Sequence, residues 1–89
     1  MEEHMPLSVP DWLKLRDGTL RPGIDGRSWF VCLRGEPQYE LTPVPVKGKF
    51  GCEVRQTING KRLDGDGLYP SAEEALRGGL EELRKKLGW

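Results

Sequence analysis

The spacing of apolar positions changes from a period of two to a period of 3.6 along this chain. Ser28 to Arg34 is aromatic and β-branched and predicts a strand. Both of its faces are apolar, with Trp29, Val31 and Leu33 on one and Phe30 and Cys32 on the other. Such a strand is covered on both sides, and the cover expected for the second face is the N-terminal arm with Trp12. A second strand opens at Gln38 with Tyr39 and Leu41 on one face. Val44 and Val46 then take the opposite parity, which predicts a bulge near Thr42 and Pro43. Pro43 and Pro45 cannot donate to a ladder, so this stretch belongs at an edge. Phe50, Cys52, Val54 and Ile58 line one face of a third strand, with Gln56 the polar exception, and Glu53, Arg55 and Thr57 line the other. Asn59-Gly60 is a hairpin signal, and Lys61 to Leu63 starts a return strand.

From Ser71 the period becomes helical. Leu76, Leu80, Leu83 and Leu87 form one stripe, flanked by Ala72, Ala75 and Gly79. Ser71 is the expected N-cap, Glu74 completes a capping box, and Gly88 is the stop. Acidic Glu73 and Glu74 lie at the start and basic Arg84, Lys85 and Lys86 at the end, each sign complementing the nearer pole of the helix dipole. Glu73–Arg77, Glu81–Lys85 and Glu82–Lys86 have the favourable i,i+4 order. Gly78-Gly79 within the helix disfavours it by about 1 kcal/mol per residue relative to alanine, which points to close packing on the sheet.

The first ten residues read as a flexible arm. Asp11 is expected to cap a short helical turn through Arg16, with Trp12 and Leu15 on one side; the alternative is a brief strand carrying Leu13 and Leu15. Arg21 to Arg27 reads as a loop. Residues 11–89 therefore form a single α+β domain of two layers, a three- to four-stranded antiparallel sheet packed against one C-terminal helix.

The 89 residues carry 14 Lys+Arg and 14 Asp+Glu, with 36% hydrophobic and 31% charged. Zero net charge argues against a basic nucleic-acid clamp, and no run approaches the ~20 apolar residues of a membrane span. Two cysteines and no secretory signal point to reduced thiols and a cytoplasmic setting. His4 is the one histidine, so a nucleophile–histidine pair would have to use it, and a closed zinc site would need more ligands than Cys32, Cys52 and His4. Asp64-Gly65-Asp66-Gly67 has the start of a calcium loop, but Leu68 and Ala75 stand where further ligands belong, so it reads as a tight turn. No catalytic residue, metal or cofactor is expected. Two candidate surfaces remain. Lys47, Lys49, Arg55, Lys61 and Arg62 could face phosphates, although Glu53, Asp64 and Asp66 are interspersed. Trp12, Tyr69 and Trp89 could form a protein interface or a homodimer contact.

Pro37, Tyr39, Glu40 and Leu41, then Phe50 and Val54, Asn59-Gly60-Lys61, Gly65 and Gly67, and Ser71, Ala75 and Leu80 follow one another in an order that resembles the double-stranded-RNA-binding domain. The resemblance covers the C-terminal half and implies a β-β-β-α arrangement and RNA contact. The family's RNA-contacting lysines just after the capping serine are replaced here by Ala72 and Glu73, its loop histidine is missing from Val46 to Lys49, and a strand-like segment stands where its first helix belongs. Pro70, Ser71, Glu73, Glu74, Ala75 and Leu76 also resemble the corresponding helix of HicB-type antitoxins, which implies an antitoxin-like role with a protein partner. The expected role is thus a small non-catalytic binding module for a protein or a second copy, with double-stranded RNA or an antitoxin's partner as alternatives.

Overall fold

The computed structural model describes residues 7–89; His4 and the first six positions of the expected arm lie outside them. The order is α1 (Asp11–Lys14), β1 (Gly18–Pro22), β2 (Trp29–Leu33), β3 (Glu36–Val46), β4 (Lys49–Gln56) and α2 (Ala72–Leu87). The strands form one antiparallel meander in the order β1-β2-β3-β4, with α2 packed over β3 and β4. This is the expected two-layer α+β architecture. Two-residue turns at Arg34-Gly35 and Lys47-Gly48 join β2 to β3 and β3 to β4, with both residues of each turn at positive φ. That geometry matches the twist of the flanking strands.

The strands themselves correct the sequence reading in three places. The fourth strand is β1, within a stretch read as turn and loop, while Lys61 to Leu63 supplies only an isolated bridge between Arg55 and Arg62. β1 reads Gly-Thr-Leu-Arg-Pro, and a single apolar side chain gives a short edge strand no visible alternation. The bulge expected near Thr42 and Pro43 is absent, since the β3–β4 register runs unbroken from Tyr39↔Gln56 to Val46↔Lys49. The irregularity lies between Val31 and Cys32, which oppose Tyr39 and Pro37 and leave Gln38 as the extra residue. Pro43 and Pro45 fit because β2 stops opposite Leu41, so their missing N–H groups face no ladder. Finally, β4 ends at Gln56, and Ile58 is 86% exposed on the turn that follows. Thr57 still bonds to the start of β3, its amide and hydroxyl donating to the carbonyls of Gln38 and Pro37, before the chain turns.

The core is one cluster. Val31, Tyr39, Leu41 and Val54 from the sheet meet Leu76, Leu80 and Leu83 from α2, and Leu7 and Leu13 from the N-terminal segment complete it. The described part of the arm is therefore docked, and on the helix side. It does not cover the second face of β2 as expected, although Cys32 is buried. In α1 the N-cap position is Pro10 and not Asp11. Leu13 is fully buried while Leu15 is exposed, because the open backbone of Gly18 receives the Leu13 side chain.

α2 forms over the expected span, with only one half of the expected capping box made and no bond from the Ser71 amide to the Glu74 carboxylate. Ser71 Oγ accepts from the Glu74 amide at 3.2 Å, and Gly88 ends the helix in the left-handed conformation while Trp89 N–H donates to Arg84 C=O. Glu73 pairs with Arg77, but Glu81 pairs with Arg84, so the pairs expected with Lys85 and Lys86 are not the ones formed. Gly79 lies so close to β4 that a Cβ there would fall 2.4 Å from Cys52 Sγ, and the Tyr69 ring lies across Gly78. The paired glycines let the helix approach the sheet.

Candidate functional site

α2 covers β3 and β4, and the segment 7–17 packs beside β1. Among the described residues, nothing covers the opposite end of the sandwich. There Pro22, Trp29, Pro43, Pro45 and Phe50 line an apolar groove of about 680 Å³, floored by Ala72 and Leu76 of α2. The strand register explains the gathering. Pro22 pairs with Trp29, Trp29 with Leu41, and Pro45 with Phe50, so these side chains share the face toward the helix. Pocket volumes of ~300–1,000 Å³, mainly apolar, are typical of small-ligand and anchor-residue sites.

One lip of the groove is the β1–β2 loop, and it is braced from within. The Asp25 carboxylate accepts from the amides of Arg27 and Ser28 at 3.0 and 2.9 Å and from Ser28 Oγ at 2.9 Å. Those donors, the Ser28 amide first, hold the Asp25 carboxyl down to about 2, well below its ordinary 3.8. Ser28, 3% exposed, also shares a hydrogen bond with Thr42 Oγ1 at 2.8 Å. Arg27 Nη2 reaches across to the Pro43 carbonyl at 2.9 Å and ties the loop to β3. The lip is thus held in place before any ligand arrives, which lowers the ordering cost of binding. In the sequence this stretch reads only as a loop. The signal it carried was Asp25 three residues ahead of Ser28, a spacing suited to local side-chain capping.

The five candidate cations do not come together. Lys47 and Lys49 lie at the β3–β4 turn, and Arg55, Lys61 and Arg62 at the far end of β4, about 20 Å away at the ~3.3 Å rise of a strand. Two are engaged with acids: Arg55 Nε lies 3.0 Å from Glu53 Oε1, and Arg62 lies 2.9 Å from Asp64 and 3.7 Å from Glu53. Asp64 also accepts from the Val54 amide, and the Arg62 guanidinium holds its carboxyl below the usual range. The Asp64 carboxylate therefore pins the chain to β4.

The three candidate interface aromatics are each half-buried against their own chain. Tyr69 covers Gly67 and Gly78. Trp89 folds back so that its ring centre is 6.1 Å from that of Trp12, with the Arg16 guanidinium 4.4 Å over it. The thiols stay free; Cys32 points away from α2, Cys52 toward it, and β3 runs between them. Burial pushes the Cys52 thiol up to about 12, which makes it inert as a nucleophile. Among the described residues, no three His, Cys, Asp or Glu side chains converge as metal ligands, and no helix is long and apolar enough to cross a membrane. Compared with family models, curated proteins and solved structures, the chain matches none.

Proposed function

We propose that this protein is a non-catalytic interaction module whose groove receives apolar side chains of a protein partner. The observation that carries the reading is the pairing of an open apolar groove with a braced lip, in a domain whose Trp12, Tyr69 and Trp89 rings are spent on internal packing. Anchor residues of protein interfaces sit in desolvated apolar pockets of this kind. The scattered and partly paired cations favour this reading over nucleic-acid contact, which needs a local positive excess.

The test uses an anilinonaphthalene sulfonate dye as an apolar probe. Its fluorescence is expected to rise on the native protein and to fall about fivefold or more with Pro45→Glu, since Pro45 is exposed on the groove wall and a charge there opposes apolar contact. No rise, or a rise indifferent to Pro45→Glu, overturns the reading. A salt-dependent shift with double-stranded RNA that Lys61→Glu with Arg62→Glu abolishes would put the RNA-binding alternative in its place.

A further inference from the structure

We propose that the partner in the groove is a second copy of this chain, with Ile24 as the side chain that enters it. This rests on the groove being a docking site and goes on to name its occupant. Ile24 stands at the tip of the β1–β2 loop, with its side chain free of contacts and 109% exposed relative to an isolated residue. The residues around it, Pro22, Gly23, Gly26 and Arg27, all line the groove, but Ile24 itself does not. The same lip thus presents an apolar knob outward and an apolar hole inward. A twofold axis beside the lip would exchange them, so that each Ile24 enters the partner's groove against Trp29, Phe50 and Leu76, as a closed isologous contact requires.

Charge supports the same arrangement. Asp25 and Arg27 flank the knob, both exposed and opposite in sign. Both are already engaged within their own lip, Asp25 with the Arg27 and Ser28 donors and Arg27 with the Pro43 carbonyl, so the charges beside the knob are balanced on each copy, and a chain of zero net charge meets its copy without overall repulsion. The free edges of the sheet are largely blocked as competing routes. At β1, Pro22 has no N–H and α1 packs beside Gly18, while β4 is bridged to Arg62 and Tyr69.

Sedimentation equilibrium from micromolar to millimolar protein, run alongside the dye titration, is the deciding experiment. A dimer mass is expected at the high end, with Ile24→Glu and Pro45→Glu each weakening association by about tenfold or more and Ile24→Leu retaining it. Ile24 touches nothing among the described residues, so its variants keep the fold. A monomer at every concentration overturns self-docking, and so does a dimer indifferent to either charged variant. If the dye still responds to Pro45→Glu in that monomer, the groove reading survives and only its occupant changes.

Discussion

At the residue scale, the tightest constraint is the contact between Gly79 and Cys52. Alanine at a helix interior is favoured over glycine by about 1 kcal/mol, so propensity alone would make Gly79→Ala stabilising. The sheet decides otherwise. The new methyl would meet Cys52 Sγ at 2.4 Å and Leu41 Cδ2 at 3.2 Å, and overpacking of this kind destabilises by about 1–3 kcal/mol. Gly79→Ala is expected to lower the urea midpoint, and adding Cys52→Ala to recover part of the loss; simple additivity of the two changes would disprove the contact as the cause. Asp25 acts through charge. Its carboxyl titrates near 2 in the folded protein against an ordinary 3.8. A depressed folded value means the stabilisation is present above about pH 4 and is lost as the pH falls through that window toward 2. Urea midpoints measured across this range should show a steeper decline for the native protein than for Asp25→Ala, and parallel curves would remove Asp25 from the account.

At the scale of elements, α2 and β4 were legible because each satisfies its own period. Leu76, Leu80 and Leu83 are buried where the stripe places them, and Cys52 and Val54 face them from the strand. The cap was equally local: Ser71→Ala is expected to cost about 1 kcal/mol by losing the bond to the Glu74 amide, read as a fall in the thermal midpoint. A negligible change would mean that neighbouring packing and not the cap fixes the helix start. β1 was illegible because it exists through its partner. Its outer side has no strand, Leu20 is its one apolar contributor to the core, and β2 supplies the ladder. The bulge was misplaced for a related reason. In the sequence, the parity switch at Val44 and Val46 looks like a shift in register, whereas those side chains simply lie on the face away from α2. The groove lay further from view, since Pro22 to Trp29, Pro43 and Pro45, Phe50, and Ala72 with Leu76 come from separate segments. Periodicity identifies which face a residue occupies, but not where a covering layer stops. Tyr69 and Trp89 look like free surface aromatics in the sequence for the same reason in reverse, because a sequence does not show that they will pack against Gly78 and Trp12.

At the scale of the whole molecule, the layer over the sheet is made of two unequal pieces, the sixteen residues of α2 and the short segment carrying Leu7, Trp12 and Leu13. A four-residue helix such as α1 is far below the ~12 residues at which isolated helices become marginally stable, so it holds its shape through contact alone. Leu13 in the core anchors it from below. From the side, the Trp12–Trp89 pair and Arg16 over the Trp89 ring clasp it to the end of α2. Aromatic pairs contribute about 0.5–1.5 kcal/mol beyond their burial, and an exposed cation–π contact about 0.5–1 kcal/mol. Trp89→Ala is therefore expected to destabilise the protein modestly. A double-mutant cycle with Arg16→Gln should return a coupling within the cation–π range, with Arg16→Gln almost silent once Trp89 is gone. The location of the loss is the sharper test. Because α2 keeps its leucine stripe and both caps, amide exchange should accelerate over Asp11 to Gly18 and remain slow over Leu76 to Leu83. Equal acceleration in both segments would show that Trp89 supports the helix and not the clasp, and the two pieces would then have to be treated as one cooperative layer.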